Sequence, residues 1–130
     1  LNSVRYEFSS WKQCEQNISH EFAIDKNSRC VRIDFGSRPK NILLIDIFLT
    51  YSNKNKIISA KKNKFCFDTT ICNDMVLDGN FLPINLICTG DDPFIIIPPS
   101  FFDDLSDDEQ VKLSIVLKPS LAYNFLLSHD

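Results

Sequence analysis

The sequence predicts an all-β fold, an antiparallel β-sandwich of about seven to nine strands with at most short helices. Apolar and polar residues alternate in segments that recur about every ten residues, with turn-forming residues between them. Ile and Phe, which favour strands, are abundant, whereas Ala and Glu are scarce. Because 130 residues is the size of one ordinary domain, we expect a single β-sandwich domain spanning residues 1–130.

The first half of the chain is expected to contain four strands. Their alternating patterns lie at residues 4–8, 18–24, 31–35 and 41–51. In the third strand, the odd-numbered apolar residues are expected to face the core, with Arg32 and Asp34 facing outward. The fourth strand is the longest and is apolar on both faces near its middle, which is typical of a central strand.

The second half is expected to be built from shorter strands. Apolar segments at residues 57–58, 65–67, 81–88, 94–97 and 111–117 are separated by turn residues. Two short helices are predicted, at residues 106–110 and 121–127. Ser106 and Glu109 have the spacing of a capping box, which favours the start of the first helix at this point.

Five cysteines are present, an odd number, and none of them forms a C-x-x-C pair. This pattern predicts free thiols buried as small core residues, in a reducing compartment. We therefore expect a cytoplasmic location, with the nucleus as the alternative. No apolar stretch approaches the roughly 20 residues that a membrane-spanning helix needs, so no membrane association is expected.

The sequence predicts a protein that is not an enzyme and that binds no metal or cofactor. Its two histidines are not paired with cysteines a few residues apart as in zinc sites: His20 lies on the apolar side of its strand, and His129 lies near the terminus. Three scattered Gly cannot form a phosphate-binding loop. The cysteine and histidine that lie nearest in the sequence, Cys14 and His20, are six positions apart, a spacing that places them at no particular proximity on strands.

Two charged segments allow alternative interpretations. The lysines lie at positions 54, 56, 61, 62 and 64, and the acidic residues lie between Asp103 and Glu109. Each segment could be a solvated loop, and lysines on an edge strand also oppose aggregation. Alternatively, the lysines could form a patch for an acidic partner or nucleic acid, and the acidic loop could contact a basic partner. The net charge of −3 argues against nucleic acid.

Several short motifs, in order along the whole chain, resemble one family. Tyr6 precedes W-K-Q at residues 11–13, and Ile18 lies seven residues after Trp11. C-V-R-I-D-F at 30–35, L-D-G-N-F at 77–81, L-S-I-V-L-K at 113–118 and A-Y-N-F-L-L-S-H-D at 122–130 follow. This series resembles the CS domain, the β-sandwich of the small acidic co-chaperone of the ninety-kilodalton heat-shock protein and of NudC. Phe94 stands where that family has a second Trp.

The resemblance implies a protein-binding domain of the co-chaperone or client-holding type. Its partner would be a heat-shock chaperone or a partly folded client, and it would be a monomer or weak dimer. The candidate partner-binding residues are Trp11, Lys61, Lys62, Tyr123 and Phe125. Two alternatives remain open: a nucleoplasmin-like histone chaperone, which V-L-D-G-N-F-L-P at 76–83 resembles, and an unrelated β-sandwich that binds a protein or ligand.

Overall fold

A computed structural model describes residues 2–5, 16–23, 31–36, 41–51, 55–103 and 110–120. These residues form ten strands and a 3-10 helix at Pro99–Phe102. The strands are β1 (Asn2–Arg5), β2 (Gln16–Ala23), β3 (Val31–Asp34), β4 (Ile42–Tyr51), β5 (Lys56–Ser59), β6 (Ile71–Asn73), β7 (Met75–Asp78), β8 (Ile84–Cys88), β9 (Phe94–Ile97) and β10 (Gln110–Pro119).

The strands are arranged in two sheets, which confirms the predicted all-β sandwich. Sheet A has the order β1-β3-β9-β6. Sheet B has the order β2-β10-β4-β8-β7, and β5 also pairs with β4. All described pairs are antiparallel except β1 with β3, which is parallel. As expected, β4 is a central strand, with β10 on one side and β8 and β5 on the other.

Alternation along the strands builds the core between the sheets. In β3 the buried residues are Val31 and Ile33, with Phe35 just beyond the strand, while Arg32 and Asp34 are only partly buried. The same period buries every second residue of β9 and most of β10. The predicted inward and outward faces of the third strand are therefore confirmed.

A β-bulge in β4 moves the buried positions of this strand by one residue. Leu44 pairs with Leu117 while Asp46 pairs with Val116, so Ile45 is one residue extra in β4. The extra residue shifts the period by one position. The buried apolar residues are therefore even-numbered before the bulge and odd-numbered after it: Ile42 and Leu44, then Ile47, Leu49 and Tyr51.

The structure corrects several expectations in the second half of the chain. β8 begins at Ile84 rather than at residue 81, because residues 81–83 form a bend. Residues 65–67 are not a strand. Gln110 is the first residue of β10 rather than the end of a helix, and the rest of both predicted helices lies outside the described residues. β6 and β7 were not predicted.

Residues 65–67, which do not form the predicted strand, are held by contacts between aromatic rings. Phe67 is buried and its ring meets Phe65 edge-on, with 5.2 Å between ring centroids. Phe65 in turn contacts Phe101 at 5.0 Å, and Phe101 contacts Phe102 at 5.2 Å. Such edge-to-face pairs add to the hydrophobic stabilisation of the core. The 3-10 helix thus packs on the segment that follows the lysines.

Candidate functional site

A single tight turn carries three of the five clustered lysines, Lys61, Lys62 and Lys64. We call residues 59–65 the lysine turn. Ser59 begins it as an N-cap, since its Oγ accepts the Lys62 backbone N–H at 3.0 Å. Phe65 donates its N–H to the Ala60 carbonyl at 3.0 Å, and Lys64 donates to the Lys61 carbonyl at 3.1 Å. This pair of bonds is a Schellman motif, which closes one helical turn.

Lys64 occupies the position where the turn reverses. Its φ of 53° lies in the left-handed region, as the Schellman motif requires at the residue after the last helical one. A residue other than Gly is uncommon in this region. The conformation is held by the hydrogen bonds on both sides of Lys64, so the backbone of the turn has one defined shape.

Asp46 on β4 links the lysine turn to sheet B by hydrogen bonds. This buried carboxylate follows the bulge of β4 and accepts the Lys61 backbone N–H at 3.0 Å. It also accepts the Ser59 hydroxyl at 2.7 Å and the Ile47 N–H at 2.7 Å. Asp46 therefore joins the central strand, the end of β5 and the first residues of the turn.

The side chains around the turn form a basic surface with one apolar residue. We call this the lysine surface; its members are Lys56, Ile57, Lys61, Lys62 and Lys64, all exposed. Ile57 is 67% exposed, which is high for a β-branched residue on a strand. Lys56 lies over the Tyr51 ring, with 5.5 Å between Nζ and the ring centroid. Within the described residues, no carboxylate forms an ion pair with these four lysines.

The backbone of β5 is open on the side away from β4. Ala60 donates its N–H to the Ile47 carbonyl at 2.9 Å, so residues 58 and 56 also direct their backbone groups toward β4. By the same alternation, Ile57 directs its N–H and C=O outward. Among the strands that the structure describes, none pairs with this outer edge.

Only two of the five predicted binding residues can be placed. Lys61 and Lys62 lie side by side on the lysine turn with Lys64, and Lys56 lies on the preceding strand β5. Trp11, Tyr123 and Phe125 lie outside the described residues, as do Lys54 and most of the predicted acidic loop. Ile57, Ser59 and Asp46 are also parts of the site but were not predicted from the sequence. A single Asp inside the long apolar segment 42–49 was the signal that could have indicated Asp46.

A second charged group, on the outer face of sheet A, has its charges paired. The Arg32 guanidinium lies 3.7 Å from the Phe94 ring centroid and 3.1 Å from Asp34. Asp92 lies 3.9 Å from the same guanidinium. Because the charge of Arg32 is already matched, this cluster is a support for sheet A rather than a binding patch. Phe94 is the half-buried base of that cluster.

The described cysteines show no arrangement for nucleophilic chemistry. Cys66, Cys72 and Cys88 are free thiols. Burial raises the pKa of Cys88 to about 11, so its thiol stays protonated at neutral pH and is a poor nucleophile. Cys72 is exposed, contrary to the expectation of buried thiols, because it lies on the three-residue strand β6 at the edge of sheet A.

The described part of the chain holds no group of three or more His, Cys, Asp or Glu side chains placed to bind a metal ion. It also has no helix of the length and apolar character needed to cross a membrane.

No protein-family model, curated protein or solved structure matches the chain. The resemblance to the CS domain therefore stays a prediction.

Proposed function

We propose that this chain is a non-catalytic protein-binding domain whose lysine surface holds an acidic segment of a partner protein. The observation that carries the proposal is the grouping of four exposed lysines and an exposed isoleucine on β5 and the turn that follows it, with no ion pair to these lysines among the described residues. Lysines scattered over a solvated loop would lack a fixed backbone. Here hydrogen bonds fix the backbone of the turn, and Ile57 lies on the strand that leads into it.

Charge gives the lysine surface its selectivity. The chain as a whole carries −3, so four lysines in nine residues are a local departure from its average. An acidic segment is attracted to this surface while the rest of the chain repels it, which favours one orientation of approach. Each exposed ion pair contributes no more than about 1 kcal/mol, so the affinity needs a further source.

Ile57 and the outer edge of β5 supply the additional binding free energy. An apolar side chain of the partner that covers Ile57 removes apolar surface from water, which contributes about 25 cal/mol per Å². An extended partner segment can also bond to the outward N–H and C=O of Ile57, as in β-strand addition. Because the turn is rigid before binding, little conformational entropy is lost in forming the complex.

The resemblance to the CS domain extends the proposal to the kind of partner. It suggests a heat-shock chaperone or a partly folded client, in the cytoplasm or the nucleus. Acidic and apolar residues in one extended segment are the chemistry that the lysine surface would recognise in either. Trp11, Tyr123 and Phe125 would add aromatic contacts typical of such interfaces.

Replacing Lys61 and Lys62 together with Glu tests the proposal. We expect the double variant to bind a labelled acidic peptide with alternating Glu and Val at least about tenfold more weakly at low salt, because two attractions become repulsions. Fluorescence anisotropy measures the affinity. The melting temperature is expected to stay nearly unchanged, since both side chains are exposed.

Matched single variants separate the local effect from net charge. Lys62→Glu and Lys118→Glu change the net charge equally, and both residues are exposed, but Lys118 lies on β10. Only Lys62→Glu is expected to weaken peptide binding. Equal losses in both variants would show that the peptide senses only the overall charge. A single-stranded oligonucleotide of equal charge is expected to bind less tightly than the peptide.

A further inference from the structure

Two open strand edges lie on the same side of sheet B. β10 occupies one edge of β4, whereas β8 and β5 both pair with the other edge, β8 near its start and β5 near its end. β7 pairs with the outer side of β8 and ends the order of the sheet. The outer edges of β5 and β7 therefore face the same way, and no described strand pairs with either.

The edge at β7 has the opposite charge to the lysine surface. We call Asp68, Val76, Asp78 and Phe81 the acidic edge; all four residues are exposed. Phe67 donates its N–H to the Asn80 carbonyl at 2.7 Å, which holds the segment carrying Asp68 against the turn carrying Phe81. Val76 and Phe81 are 53% and 55% exposed, so this edge is apolar as well as acidic.

The two surfaces therefore complement each other in both charge and apolar character. One has lysines around Ile57, and the other has aspartates around Val76 and Phe81. The strands beneath them, β5 and β7, are both four residues long. Exposed apolar residues at unpaired strand edges are a typical template for association with another chain.

We infer that two copies of this chain form a two-fold dimer in which the lysine surface of each contacts the acidic edge of the other. Because both surfaces face the same side of the molecule, a two-fold axis makes both contacts at once, and the assembly closes as a dimer. The dimer covers the lysine surface. Dimerisation therefore competes with binding of the acidic partner. Self-association is a property additional to the proposed function.

Substitutions that reverse the charge of either surface test the dimer. Sedimentation equilibrium of the wild-type chain at low salt is expected to show a monomer–dimer equilibrium that high salt shifts to monomer. Lys61→Glu with Lys62→Glu, and separately Asp68→Lys with Asp78→Lys, should each weaken dimerisation at least about tenfold. Mixing these two variants should restore dimers, because each copy then presents charges opposite to those of the other on both surfaces.

Further outcomes decide against the inference. A wild-type chain that stays monomeric at every concentration, a mixture that does not associate, or growth beyond dimers would each overturn it. Should Asp68→Lys with Asp78→Lys fail to fold, Val76→Lys replaces it and is expected to give monomers. A monomeric wild type that still binds the acidic peptide would overturn the dimer alone and leave the proposed function standing.

Discussion

Replacing Asp46 with alanine is expected to lower the free energy of unfolding by about 3 kcal/mol, because hydrogen bonds to a buried carboxylate are among the strongest in a fold. The change leaves three donors without their acceptor: the N–H groups of Ile47 and Lys61 and the Ser59 hydroxyl. Urea unfolding followed by circular dichroism measures the loss. The lysine turn should loosen as well, so the affinity for the acidic peptide should fall.

Asp46→Asn is the matched control. Its carbonyl oxygen can still accept from the two backbone donors, and its amide can donate to the Ser59 hydroxyl. We expect roughly half the loss of stability that alanine causes, since the hydrogen bonds remain but the negative charge does not. If alanine at this position changed the stability by less than about 0.5 kcal/mol, Asp46 would not be the anchor of the turn.

Replacing Phe102 with alanine is expected to destabilise the fold by about 3 to 5 kcal/mol, the usual range for a buried Phe. The Phe102 side chain is fully buried, and its ring lies in the aromatic cluster with Phe101 and Phe65. Removing the ring leaves a cavity and takes away an edge-to-face contact with Phe101. Thermal and urea unfolding measure the effect.

Phe81→Ala is the control for this core prediction. Phe81 has the same side chain but is about half exposed, so we expect a loss below about 1 kcal/mol. Similar losses at both positions would mean that Phe102 does not occupy the core. Phe81→Ala also weakens the proposed dimer, whereas at equal folded concentration Phe102→Ala should not.

Alternation predicted the strands that bury one regular face. β3 follows a clean two-residue period, and β10 follows it except at the buried Ser114, so the positions and inward residues of both strands could be read from the sequence, whereas β9 is apolar throughout and only its position could be read. β4 was placed correctly, but the bulge at Ile45 was not seen. Two apolar faces in a short segment fit a fully covered strand as well as a shifted period.

The short strands β6 and β7 could not be predicted, for a physical reason. They lie at the edges of the two sheets and expose the apolar residues Ile71, Cys72 and Val76, so hydrophobicity in the sequence does not follow their buried positions. Asp74 separates them with a φ of 51°, and its carboxylate accepts the Asp92 N–H at 3.0 Å. This contact links residues 18 positions apart and leaves no local pattern in the sequence.

For the candidate site, composition revealed the charge but not the shape. Lys61 and Lys62 were identified because lysines are concentrated there. The rigid turn depends on Asp46, which lies 15 residues from Lys61, and on a left-handed Lys64 where turn chemistry would lead one to expect Gly or Asn. The exposure of Ile57 depends on the place of β5 at a sheet edge, which only the strand order shows.

Mapping the acidic peptide onto the isotope-labelled chain by NMR tests the central claim most directly. The proposal predicts that the amide signals of Ile57, Lys61, Lys62 and Lys64 shift most on titration, and that those of sheet A, including Arg32, stay in place. Lys61→Glu with Lys62→Glu should abolish the shifts. Binding whose largest shifts fall on sheet A, or that persists unchanged in the double variant, would contradict the lysine surface as the binding site.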